Sequence, residues 1–434
     1  MSDNQSSSLS IFPVLLVNFI GMLGYSIVLP ILVYIVNDFG GNEFVYGLLG
    51  SIYPLFQLFG GPLLGRWSDQ IGRRRVLMIS QSGTLLAWGL FIVALLLPKL
   101  SIWEVDSSWA GSFIISIPLI LLFFARALDG LTGGNVSVAN AYLADISNDE
   151  NRKANFGKMA SSTSLGFIIG PMLAGLLGAT ILGTLLPVAV AALISLTAIF
   201  VIYKVLPETP SVLMDAEAQH LDLKKMFQHN HKACYKMENC PDTGFLAILK
   251  MPTMALMYGI YFLTFLGFSF FYAGFPVYAS TILAWDSSQL GIFLTISSLI
   301  MVISQGPLLS WLSPRFNESY LILAGSFLIA SSFALLTIEN MIAIYSANVL
   351  LSVGNGIMWP SYMALLAQKG GKDVQGTIQG YAASMGSLAS IFGLILGGLL
   401  IGQMGSFLFY CAAAILGIIF LLSFRLLPRF QSST

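Results

Sequence analysis

Two charged residues, Arg126 and Asp129, stand three positions apart inside an otherwise apolar run, 112–138. On a helix that spacing puts both on one face. An ionised group in hydrocarbon is costly unless paired or wetted, so such residues are functional by default. A carboxylate beside a guanidinium can carry a proton, or it can form a fixed ion pair that holds its helix in a bundle. Burial and the neighbouring cation push a carboxyl in opposite directions, so the residue types leave both readings open.

A second constellation is Gly65-Arg-Trp-Ser-Asp69-Gln-Ile-Gly72-Arg73-Arg74-Arg75, a polar turn between two long apolar segments. It sets four arginines (with Arg66) around one carboxylate. A third, His220, His229, His231, Cys234 and Cys240, invites a zinc reading. Its His-x-His-x2-Cys-x5-Cys spacing matches no common ligand pattern, and a solvated linker with a short amphipathic helix near Leu221–Phe227 accounts for it better. No metal or cofactor is expected. No Ser/His/Asp set, no two-metal cluster and no Gly-x4-Gly-Lys-Ser/Thr loop is present, so neither an enzyme nor a nucleotide-driven pump is indicated.

These residues are positioned by a chain of 434 residues, 56% hydrophobic and only 9% charged. So little charge cannot clothe a soluble core of that size. The fold class is therefore an all-α polytopic membrane protein. Zero net charge argues against nucleic acid as a partner. The first ten residues carry no Lys or Arg, and the apolar run after them reads as an uncleaved first span. With about 20 apolar residues per crossing, twelve spans are predicted: 11–37, 44–65, 76–98, 112–138, 156–178, 183–205, 253–281, 288–312, 319–338, 341–367, 375–402 and 405–427. With both termini in the cytoplasm, all but Lys99 and Arg126 of the 20 Lys and Arg fall on the cytoplasmic side, as the positive-inside rule requires. The sequons at Asn4 and Asn317 lie on that side too, so no glycan is expected.

The one long polar stretch divides the chain into 1–205, a central cytoplasmic linker 206–250, and 251–434. The two six-span parts resemble each other. Gly61-Pro62-Leu63-Leu64 recurs as Gly306-Pro307-Leu308-Leu309, an offset of 245, and Gly157, Gly170 and Gly175 align with Gly380, Gly393 and Gly398 at an offset of 223. The first offset sets Asn317 opposite Gly72, so the second copy keeps the helix end and loses the charged turn. Repeated six-span halves point to a transporter.

On these residues the chain resembles the major facilitator superfamily, and within it the twelve-span drug:proton antiporters of the tetracycline-exporter type. Gly65, Asp69, Gly72, Arg73, Arg74 and Arg75 resemble its loop motif, with Gln70 departing from the usual cation. The resemblance implies that Asp69 caps the start of span eleven near Gly376 and Thr377. It also implies that Arg73 pairs with Asp145, latching the halves on the cytoplasmic side. Arg126 through Gly134 resembles the Arg-x3-Gly-x2-Gly motif of span four, with Asp129 standing where the family usually has an uncharged residue. Gly157, Gly166, Gly170, Pro171 and Gly175 resemble the antiporter motif of span five, with Ala174 the one substitution. Small residues there allow close helix approach, and Pro171 removes a backbone bond.

The resemblance implies two pseudo-symmetric six-helix bundles that export a small apolar or amphipathic solute, drug-like or tetracycline-like, in exchange for protons. Its partners are that solute, protons and the bilayer, and it is expected as a monomer in the bacterial inner membrane. The alternative is a proton-coupled symporter or facilitator for a small metabolite such as a sugar, kept open because Asn18 replaces the acid many relatives carry in span one. Asn18, Tyr25, Gln57 and Asn135 are candidate cavity residues or, equally, helix-to-helix hydrogen bonds. Trp359 is a candidate for an adaptable apolar binding wall.

Overall fold

The computed structural model describes residues 11–28, 30–133, 135–147, 152–208, 245–370 and 375–427. The histidine–cysteine stretch and Leu221–Phe227 lie outside them.

The apolar runs become helices that turn back where a cap or a glycine permits. In the first half these are α1 (Phe12–Ile27), α2 (Leu32–Asp38), α3 (Glu43–Ile71), α4 (Arg73–Leu96), α5 (Ile117–Thr132), α6 (Asn135–Asp145), α7 (Arg152–Gly178) and α8 (Leu185–Lys204). In the second they are α9 (Phe245–Leu249), α10 (Met254–Thr281), α11 (Ser287–Ile303), α12 (Leu309–Leu312), α13 (Glu318–Leu335), α14 (Met341–Gly370), α15 (Gln375–Met404) and α16 (Leu408–Ser423). A π-helical turn, Ser304–Leu308, joins α11 to α12. Ten stretches among the described residues are long and apolar enough to cross a bilayer, and the α1–α2 pair, bent by 42°, makes an eleventh. One of the ten, Ile378–Leu426, runs 49 residues, more than twice what a ~30 Å hydrocarbon core needs. It holds two helices, α15 and α16, parted by a 3₁₀ turn at Gly405 with φ +57°.

Several boundaries differ from the sequence-based expectation. The Gly65–Arg75 stretch, expected as a polar turn, is helical except at Gly72: α3 runs past the expected end of span two at 65 to Ile71, and α4 opens at Arg73. Span four was expected from residue 112, but 112–116 belong to an antiparallel hairpin, β1 (Ser101–Ser107) with β2 (Gly111–Ser116). The helix starts only at Ile117, where Ser116 caps Leu119 N–H and Pro118 occupies the first turn; the crossing it opens takes in α6 and runs to Asp145. Span twelve begins at Leu408 rather than 405. The hairpin forms because it has a tertiary partner. Ile114 N–H donates to Gly40 O, Ser116 Oγ to Phe39 O and Asn42 Nδ2 to Ala110 O. Lys99 pairs with Asp38 beneath it.

The internal repeat is legible in backbone geometry. Asn42 caps α3 and Asp286 caps α11, the latter in a capping box with Gln289. Gly40 and Ala284 both take a positive φ, +87° and +53°. Gly47 and Gly291 both face a glycine across the molecule. Each of these pairs is offset by 244, whereas Gly61 and Gly306 are offset by 245. The extra residue falls between Gly291 and Gly306, the interval in which the π turn begins, and a π turn is how an α-helix absorbs a one-residue insertion.

Candidate functional site, a buried charge pair between a polar turn and a glycine seam

Within Gly65–Arg75 the chain turns only at Gly72, which ends α3 and opens α4 with φ +102°. L-residues rarely adopt that conformation, and a Cβ there would sit 2.7 Å from Glu208 Oε1. The turn aims Arg73 inward: its Nε donates to Asp145 Oδ2 at 2.9 Å and its Nη1 to Ser68 Oγ at 2.5 Å, while Ser68 Oγ donates to Gly65 O. Arg73 is buried and the Asp145 side chain is 31% exposed. Arg74 N–H donates to Glu208 Oε1, its Nε to Ile202 O and its Nη2 to Tyr203 O. Both arginines thus fasten helices of the first half to one another. The side chains of Asp69, Gln70 and Thr377 lie outside the described residues. Glu208 was not anticipated; an acid just beyond span six, on the arginine-rich face, was the available signal. At the equivalent place in the second copy, Asn317 opens α13 with φ −66°, so the left-handed turn has gone with the charges.

Deeper in the first half, Arg126 and Asp129 are 3% and 8% exposed. Arg126 Nη1 and Asp129 Oδ2 are 3.8 Å apart, wider than a charge-assisted hydrogen bond at about 2.7–2.9 Å. The guanidinium lies 5.6 Å from the centre of the Phe91 ring, and its Nε has no hydrogen-bond partner among the described residues. Thr84 presents its hydroxyl to Asp129. Tyr25 and Tyr53 lie beside the pair, their rings tilted by 41° with centroids 4.9 Å apart, and Phe167 meets Tyr25 edge-on. Gln57 Nε2 donates to Tyr53 Oη and Gly133 O at 3.1 and 3.2 Å. This brings Tyr25 and Gln57, from α1 and α3, to the helix that carries the charge pair.

Asn18 lies elsewhere. Its Nδ2 donates to Ser162 Oγ and Thr163 Oγ1 at 2.9 and 2.8 Å, which makes it a helix-to-helix contact between α1 and α7. The side chain of Asn135 lies outside the described residues. Trp359 belongs to the second half, in a ring cluster with Tyr261, Phe265 and Tyr362 at centroid distances of 5.3, 5.4 and 5.9 Å. Among the described residues no group of three His, Cys, Asp or Glu is placed to hold a metal ion. A purely apolar groove of about 540 Å³ between α3, α5 and β2, walled by Phe44, Phe56, Phe113 and Phe123, contains none of the predicted site residues.

The α7 glycines act as contact points. A Cβ on Gly166 would meet Leu23 N at 2.9 Å, so α1 rests on bare backbone there; one on Gly175 would meet Gly291 Cα at 3.0 Å across the halves. Gly157 is described in backbone only. The second seam is α3 against α15, where Gly398 abuts Gly47 and Glu43 O. Tyr34 Oη donates to Trp285 O, Tyr46 Oη to Tyr272 O and Gln403 Nε2 to Trp109 O, each from one half to the other. These contacts cluster toward the hairpin end of the molecule, away from the Gly65–Arg75 turn.

The sequence profile described as "Major Facilitator Superfamily" matches residues 14–394 and, again, 257–434. The tetracycline resistance protein, class D, of Salmonella ordonez is 25% identical over 386 residues, covering 88% of this chain and 87% of that protein. Multidrug resistance protein 1 of Bacillus subtilis (strain 168) is 27% identical over 414 residues, covering 93% of each. Among solved structures, a D-xylose–proton symporter superposes with a TM-score of 0.71 at 18% identity, covering 98% of this chain and 99% of that one. Members of this family are transporters rather than enzymes. A chain matched along its length by the family profile and folded as two pseudo-symmetric helical bundles belongs to the Major Facilitator Superfamily.

Proposed function

We propose that this transporter exchanges protons for a small apolar or amphipathic solute, of drug or tetracycline type, and exports it by alternating access. Relatives named for tetracycline and multidrug resistance support this direction, as does the α7 glycine–proline pattern. The observation that carries the reading is the buried Arg126–Asp129 pair, held at 3.8 Å beside the wall formed by Tyr25 and Tyr53. Asp129 is the proton carrier. When ionised it offsets the Arg126 charge; when protonated it is neutral and leaves Arg126 without its counter-ion. Each state suits a different arrangement of the low-dielectric interior. Solute binds between this wall and the Trp359 cluster of the second half. Asp69, capping α15, closes the cytoplasmic side, the Arg73–Asp145 pair holding α4 to α6 within the first half, while the glycine seams close the other.

In this reading a single chain spans the inner membrane as a monomer, with both termini and the linker 206–250 between the two halves in the cytoplasm. The test is Asp129→Asn in everted vesicles under a pH gradient, with tetracycline, the aromatic cation ethidium and a pH-sensitive dye. Proton-driven efflux should be lost with membrane insertion retained. Unchanged efflux removes Asp129 from the coupling, and solute uptake along with protons would establish the sugar-type symporter instead.

A further inference from the structure

The helix that carries the charge pair stops short inside its own membrane crossing. The crossing runs from Ile117 to Asp145, yet α5 ends at Thr132, with Gly133 as its C-cap. The last carbonyls of a helix have no partner within it, and in hydrocarbon such groups need one. Two side chains from neighbouring helices supply it. Ser80 Oγ, on α4, donates to Thr132 O, and Gln57 Nε2, on α3, donates to Gly133 O. Glycines let those helices come close: a Cβ on Gly130 would press on the Tyr53 backbone, and one on Gly133 would lie 2.8 Å from Tyr53 Oη.

We infer that Gln57 is a positioning residue, one that ties the α5 joint to α3 and thereby sets where Asp129 stands. The joint lies one helical turn beyond Asp129, whose own carbonyl is approached by Thr132 Oγ1 at 3.4 Å. α3 is the helix that ends in the Gly65–Arg75 turn and that meets Gly398 of the other half through Gly47. A movement of α3 against the second half is therefore carried by Gln57 to the Gly133 carbonyl and on to the charge pair. Ser80 plays the same part from α4 for the Thr132 carbonyl. This assigns Gln57 to the joint rather than to the solute-binding surface, and it rests on the antiport reading above.

The experiment compares wild type, Gln57→Leu, Gln57→Glu, Ser80→Ala and Asp129→Asn in everted vesicles, following whichever of tetracycline and ethidium the wild type exports. Gln57→Leu should cut the maximal rate about tenfold with KM held within about twofold, since an interaction that shapes the working geometry rather than the bound solute is lost. Gln57→Glu can donate to Gly133 O only when protonated, so its rate relative to wild type should fall as pH rises. Ser80→Ala should give the same kinetic split as Gln57→Leu and serves where the Leu variant fails to fold. A raised KM at preserved maximal rate would make Gln57 a solute contact and overturn the inference. Wild-type kinetics, or a Glu variant indifferent to pH, would overturn it too. Efflux surviving in Asp129→Asn defeats the antiport reading itself; efflux lost there but normal in the Gln57 and Ser80 variants defeats only this inference.

Discussion

Gly398→Ala asks whether the glycine seam is a gate contact or plain packing. The added Cβ would lie 2.8 Å from Gly47 Cα, 0.6 Å inside the 3.4 Å at which ordinary contact begins, and 2.6 Å from Glu43 O. Both obstacles are backbone, so no side chain can swing aside. Overfilling a well-packed contact costs about 1–3 kcal/mol. If the halves separate here during transport, the protein escapes that cost by separating. The penalty then falls on one conformer, and 1–3 kcal/mol shifts a two-state population by about 5- to 150-fold. Spin labels at Ser108, in the hairpin turn, and at Glu339, between α13 and α14, report the separation by pulsed electron resonance after the native cysteines are replaced. The expected result is a new, longer distance population in Gly398→Ala with little loss of thermal stability. An unchanged distance distribution with a lowered melting temperature would refute the gate and leave simple overpacking.

Arg73→Ala removes the bonds to Asp145 and Ser68. Because Asp145 is 31% exposed and partly rehydrates, a loss of about 1–3 kcal/mol is expected, read as a lower melting temperature in detergent. Asn42→Ala strips the cap from α3 and the donor to Ala110 O; the cap alone is worth about 1 kcal/mol, and faster hydrogen exchange over 101–116 is the measurement. Lys99→Ala breaks an ion pair whose side chains are 56% and 57% exposed, so thermal stability should stay within about 0.5 kcal/mol of wild type.

The helices were legible because membrane crossing is a one-dimensional constraint: each span must be long and apolar by itself, whatever it packs against. The residues that end helices were less plain: the polar turn was read over Gly65–Arg75, whereas the structure turns at Gly72 alone and caps α3 with Asn42 and α11 with Asp286. The isolation of Arg126 and Asp129 in an apolar run was as visible as the helices, since spacing alone puts them on one face. What tertiary structure decided is who meets whom. The hairpin at 101–116 exists through bonds to Gly40, Phe39 and Asn42, some 70 residues upstream, and its first strand did not stand out locally as more than a loop. The repeat offset of 245 was plain in the sequence, but the matched caps, positive-φ residues and glycine contacts reveal that the offset begins as 244. Asn18 and Gln57 were equivalent polar residues in apolar spans. Packing sends one to an α1–α7 contact and the other to the carbonyl of Gly133. A glycine announces that something approaches closely; that Gly175 waits for Gly291, and Gly47 for Gly398, is set by two halves far apart in the chain.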